Sequence, residues 1–170
     1  SGGARNELTL FVDLSGQNDA ELRFWHKEFS DEDNVMPASF TNGSDGDGVA
    51  ISEDGVTWHK VQGLVAAHGV SNTWTEYAVD LVAAANAAGI AFNSAFQIRF
   101  NHYDDSPITT DGFAFDDITI DSVIDDAAFP FFEDFESGEL SKSWTSTGTG
   151  NFRTQVTSSH APYAGTYHVT

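Results

Sequence analysis

The strongest constraint on this chain is an alternation of apolar and polar side chains with a period of two, repeated in short segments along most of its length. Leu8, Leu10, Val12 and Leu14 alternate with Thr9, Phe11 and Asp13. Leu22, Phe24 and His26 alternate with Arg23, Trp25 and Lys27, and Phe96, Ile98 and Phe100 with Gln97, Arg99 and Asn101. Successive side chains of a strand point to opposite faces, so each segment reads as a strand with one face buried. Val49–Ile51 and Thr57–Val61 flank Glu53-Asp54-Gly55, a hairpin with an Asp-Gly turn. Further strands are expected at Trp74–Leu81, Gly112–Ile120, Phe131–Glu136, Phe152–Val156 and Thr166–Thr170, with a Gly/Ser/Thr-rich stretch around Trp144. Val82–Ala88 alone has helical character, ending at Gly89. The pattern predicts an all-β fold, an antiparallel sandwich or jelly roll. Phe29–Gly48 and Asn101–Thr110 read as polar loops, the first long enough to suggest a functional or metal-pinned segment.

At 170 residues the chain suits one domain, or one domain and part of another. Its 14 Phe and 4 Trp mark it as folded despite a formal net charge of −19, from 26 acidic and 7 basic side chains. Such a surface repels phosphate backbones and anionic headgroups, which argues against nucleic-acid and membrane-surface roles. It draws in cations, and clustered carboxylates suit Ca²⁺; the same acidity also serves solubility in salt. Without cysteine there are no disulfides, thiolate metal sites or thiol chemistry. No apolar run reaches the roughly 18 residues of a membrane span. SGGARNEL lacks the basic start and apolar core of a signal peptide, so the chain reads as a piece of something larger.

Three stretches carry a family likeness: DGVAISEDGVTWHKV (Asp47–Val61), FQIRFNHYDDSPITTDGFAFDDITI (Phe96–Ile120) and FEDFESG (Phe132–Gly138). Together they resemble the MAM-like jelly-roll family, and more closely the jelly-roll repeats of large bacterial extracellular proteins. The resemblance implies a jelly-roll β-sandwich and an extracellular or cell-surface location. It also implies an order. A domain of that kind opens with a segment like FEDFESG and passes through strands like GTYHVT and NELTLFVDL. It closes with one like DGFAFDDITI. Here the order is rotated: residues 1–120 match the later two-thirds, 121–130 form a linker, and 131–170 match the opening third. The first strands of the sandwich would thus come from a C-terminal arm.

Three arrangements satisfy that register: a slice of a tandem array cut out of phase, a permuted monomer closed by its own arm, or a chain whose arm completes its neighbour. The ten-residue linker can span roughly 33 Å, which permits docking in cis or in trans. A short tether favours self-closure, whereas Asp125, Asp126 and Pro130 look like an inter-domain connector and favour the neighbour. Either way, residues 1–122 alone would leave unpaired sheet edges and an uncovered apolar face.

Several constellations could carry chemistry. By the resemblance, carboxylates of the first and last strands share a structural Ca²⁺. The candidates are Asp117 and Glu136, with Asp116, Asp134 and Glu133. Phe113 and Phe115 occupy odd positions but Ile118 and Ile120 even ones, which predicts a β-bulge at the two aspartates. A second, weaker metal set lies on the long loop: Asp31, Asp33, Asp45 and Asp47, with Glu28, Glu32 and Asn34 nearby. A glycan site needs aromatic faces and polar groups. Its candidates are Trp25, Trp58, Trp74, His102 and Tyr103, with Tyr77, Arg23, His26, His59, Arg99 and Asn101 around them. Glu133-Asp134-Phe135-Glu136 lacks the spacing of a catalytic carboxylate pair, and no nucleophile elbow, phosphate loop or zinc motif occurs. The expectation is a non-catalytic, Ca²⁺-stabilised structural or adhesive repeat. It would assemble with copies of itself or adjacent repeats into an array or fibre. The alternative is a carbohydrate-binding module of a secreted enzyme or adhesin, with cell-surface glycan as its partner.

Overall fold

A computed structural model describes residues 3–69, 71–106, 111–121, 131–140, 144–149 and 154–170. In chain order its strands are β1 (Ala4–Val12), β2 (Glu21–Glu28), β3 (Ser39–Thr41), β4 (Gly48–Ser52), β5 (Thr57–Gly63), β6 (Thr75–Asp80), β7 (Phe96–Asp104) and β8 (Phe113–Asp121). After residues 122–130, which lie outside the described set, come β9 (Phe131–Glu133), β10 (Trp144–Gly148), β11 (Val156–Thr157) and β12 (His168–Val169). One helix, α1 (Leu81–Ala88), follows β6; Asp80 caps it by accepting from Ala83 N, and Gly89 ends it with φ +71°.

The strands form two antiparallel sheets, ordered β10-β1-β7-β4-β5-β3 and β11-β12-β8-β2-β6, with β9 also pairing with β8. The fold is therefore an all-β sandwich. The alternating apolar residues supply its centre: Leu8, Leu10, Val49, Ile51, Ile98 and Phe100 from one sheet, Leu22, Phe24, Val79, Phe115, Ile118 and Ile120 from the other. Phe24 meets Phe100 edge-on across the sheets at 5.3 Å between ring centroids.

The expected bulge is present in β8. Arg23 lies opposite Thr119 and Trp25 opposite Asp116, so Phe24 faces two residues, Asp117 and Ile118. Asp117 takes a left-handed φ of +46°. The extra residue returns Ile118 and Ile120 to the face already occupied by Phe113 and Phe115, and all four are buried.

The segment from residue 131 onward pairs with the rest of this same chain. β10 lies along β1 from Asn6 to Leu10, β9 pairs with Ile118–Ile120 of β8, and β12 joins β8 at Phe115. Its Phe135, Trp144 and Val169 are buried in the main core. The connector residues Asp125, Asp126 and Pro130 lie outside the described residues.

Several segments differ from the sequence reading. Asn101–Thr110, read as a loop, begins as strand, because β7 runs on to Asp104 opposite Ala4–Asn6. Phe29–Gly48 contains the short β3, which pairs with β5. The stretch at Trp144 is itself a strand. Of Phe152–Val156, residues 152–153 lie outside the described residues and Val156 begins β11.

Two predictions follow from the packing. Phe135 is fully buried, so Phe135→Ala should lower unfolding stability by about 3–5 kcal/mol in a urea titration. His26 is enclosed by Tyr77, Phe113 and Phe115. Burial first, and then the charge of His102, lower its pKa from 6.5 to about 3. The unfolded chain thus binds this proton at a higher pH than the folded one, and stability falls as pH drops from 6.5 towards 3. Other groups titrate in the same window, so the quantity to follow is the difference between wild type and His26→Gln. Wild type should lose stability relative to the variant by up to about 1.4 kcal/mol per pH unit.

Candidate functional site

The antiparallel register of β2 and β8 builds an acidic corner at one end of the sandwich. Glu28 pairs with Phe113, and Phe29 N donates to Gly112 O at 2.8 Å. The chain leaving β2 therefore runs beside the chain approaching β8, which places Asp31 and Glu32 next to Asp111. The end of β7, in the other sheet, adds His102–Asp105. Two sets of three ligand-type side chains have candidate atoms within 4.8 Å of one another: Asp31, Asp47 and His102, and Asp31, Glu32 and Asp111.

The hydrogen bonds distinguish the two sets. Asp47 has no solvent exposure and braces the long loop: its Oδ2 accepts from Asn34 N at 2.7 Å and its Oδ1 from Tyr103 N at 2.8 Å. Burial pushes its pKa up to about 7, against the pull of those two N–H groups. His102 uses both ring nitrogens, Nε2 facing Asp31 Oδ1 at 2.9 Å and Nδ1 facing Asn6 Nδ2 at 3.1 Å. With the Asn6 amide donating to Nδ1, the proton of a neutral ring sits on Nε2 and is donated to Asp31. Burial opposes charge on His102, but the bond and charge of Asp31 outweigh it, and the pKa is raised. In the first set, Asp47 and His102 are therefore fully engaged by protein partners. In the second, Asp31 Oδ2 and Asp111 Oδ2 are enclosed and have no hydrogen-bond partner.

The remaining loop carboxylates go elsewhere. Asp33 Oδ1 accepts from Ala66 N at 2.7 Å, holding a short 3₁₀ turn at Ala66–His68. Asp45 pairs with Arg5 and is about half exposed. The quartet Asp31, Asp33, Asp45 and Asp47 is thus not gathered at one point. Asp111 and His102 take their places beside Asp31. The signal for Asp111 was its position just ahead of β8, opposite the end of β2.

Among the described residues, the strand-end carboxylates form no such three-ligand group. Glu133 Oε1 accepts from Phe135 N, Asp134 Oδ1 from Glu136 N, and Glu136 Oε1 from both Thr166 N and Tyr167 N. Asp116 has no solvent exposure; its oxygens accept from Asp117 N and Tyr163 N, and burial raises its pKa to about 6. Asp117 is raised by burial and by the charges of Asp134 and Glu136. This set braces the turns of the arm. Glu136 in particular clamps the turn at Gly165, whose φ is +68° and where an added Cβ would meet the Glu136 carboxylate.

The aromatic candidates are mostly covered. Trp58 is fully buried, with the Arg99 guanidinium 3.7 Å from its ring centroid, so it has no face left for a sugar. Arg99 also donates to Thr9, Glu7 and Asn42. Trp25 stacks on Tyr163 at 3.9 Å, and Trp74 packs edge-on against Tyr163 and His168. His26, Tyr77 and Asn101 are buried, and Tyr103 is tied by its backbone to Asp47 and Asn34. Arg23 pairs with Glu21 and Glu76. His59 lies on β5 opposite Ser39.

Comparison with protein-family models, curated proteins and solved structures returns no match.

Asp47→Ala would leave Asn34 N and Tyr103 N without their acceptor. It should cost about 1–3 kcal/mol for each orphaned donor in a denaturant titration.

Proposed function

We propose that this chain is a non-catalytic structural or adhesive unit of an extracellular protein, akin to the MAM-like jelly-roll repeats it resembles, that assembles by strand complementation. The observation that carries the reading is the way the segment after residue 131 serves the rest of the sandwich. It adds β10 to the outer edge of β1 and lays β9 and β12 along β8, and it contributes Phe135, Trp144 and Val169 to the core. An element with that role can close its own body or, in a longer array, the body of a neighbour. Run head-to-tail with a rotation that does not close, such exchange gives the geometry of fibres. The strongly acidic surface suits a unit that must repel non-specific contacts while its specific edges pair.

The experiment is complementation in two pieces. Residues 1–122 expressed alone should aggregate or remain unfolded, and a peptide of residues 129–170 should restore a cooperative melt and a 1:1 complex by native mass. A 1–122 fragment that is soluble and melts cooperatively without the peptide would end the reading.

A further inference from the structure

We infer that Asp31, Glu32 and Asp111 form a Ca²⁺ site at the corner where β2 ends and β8 begins. The argument starts from the Asp31 side chain, which has no solvent exposure. One of its oxygens, Oδ1, is fixed by His102 Nε2 at 2.9 Å, while Oδ2 is buried with no protein partner. Asp111 is partly buried, and its Oδ2 is likewise enclosed and unpartnered. A desolvated carboxylate oxygen without a donor is costly, and two of them in one three-carboxylate group call for a cation, a proton or an ordered water. Among the described residues, the only ion pair made by these three carboxylates is that of Asp31 with His102. Glu32 keeps its place through Oε1, which accepts from Asp105 N at 3.0 Å.

The chemistry of the donors selects the ion. The three are carboxylates, hard oxygen ligands, carried on two separate loop segments. Ca²⁺ accepts six to eight such ligands in irregular geometry, whereas Mg²⁺ requires a near-ideal octahedron and Zn²⁺ favours nitrogen and sulfur. His102 acts behind Asp31: its Nε2–H fixes the carboxylate so that the other oxygen is presented to the ion. Burial, and the neighbouring charges of Glu32 and Asp104, raise the pKa of Asp31, and burial and Asp104 raise that of Asp111. A cation would remove that repulsion. The site lies away from the strand-end carboxylates and does not rest on strand complementation.

The test uses the full chain, stripped of metal and titrated with CaCl₂ by calorimetry and by thermal melting. One ion should bind at this corner with a rise in Tm. Asp111→Asn and Glu32→Gln should each weaken it at least tenfold while leaving the near-ultraviolet circular dichroism unchanged, and Asp117→Asn should bind like wild type. The site is overturned by any of three results. The first is no heat and no Tm shift up to about 10 mM Ca²⁺, beyond the weakest extracellular class. The second is undiminished binding in both corner variants. The third is binding lost in Asp117→Asn alone, which would assign the ion to the strand ends. Should Asp111→Asn fail to fold, Glu32→Gln decides the matter by itself.

Discussion

The fold depends on how the outer edge of β8 is divided. Along one side β8 pairs with β2 over most of its length. Along the other, its first half meets β12 at Phe115 and its second half meets β9 at Ile118–Ile120. A regular strand could not present a core face to both halves with this sequence, because the apolar residues change parity in the middle. The bulge at Asp117 resolves the conflict by adding one residue and turning the strand, so that Phe113, Phe115, Ile118 and Ile120 all look inward. Asp116 sits at the junction and binds Tyr163 N, tying the chain that leads into β12 to the place where the two partners divide. Two distant parts of the sequence thereby become one sheet.

The molecule carries two kinds of carboxylate. Asp47, Asp33 and Asp116 accept backbone N–H groups and hold loops in place. Their charge is met by oriented dipoles, as in a helix cap. Asp31 and Asp111 are different, because each keeps an enclosed oxygen that no dipole of the protein reaches. Composition cannot separate these classes, since both look like acidic loop residues. Hydrogen-bond accounting does, and it moves attention from the strand ends to the corner beside His102.

Much of the sandwich was legible from the sequence, because period-two alternation depends only on which face is buried. Leu8 and Leu10, Leu22 and Phe24, and Ile98 and Phe100 announce their strands directly. The bulge was legible for the same reason, from the parity change between Phe115 and Ile118. Segments whose pairing is decided by distant partners were not. β10 has the composition of a turn-rich loop and is a strand because β1 offers it an edge. The end of β7 looks polar, yet Asn101 is buried because its side chain donates to the carbonyls of Ser44 and Gly46. The site suffered most, since Asp31, His102 and Asp111 are far apart in sequence and meet only through the β2–β8 register and the packing of β7. Trp58 and Trp25 read as binding aromatics because a sequence does not reveal that Arg99 and Tyr163 already occupy their faces.

The stacking of Tyr163 on Trp25 gives the molecule an optical reporter of its own state. The two rings lie 3.9 Å apart and nearly parallel, 16° between planes, and belong to opposite ends of the chain. Trp25 is an indole shielded from water by a residue of the C-terminal segment, with Trp74 beside them. Without that segment the indole would be wetted and lose its aromatic neighbour, and its emission would shift to the red. Removal of that segment would thus be visible in the protein's intrinsic fluorescence, without a label.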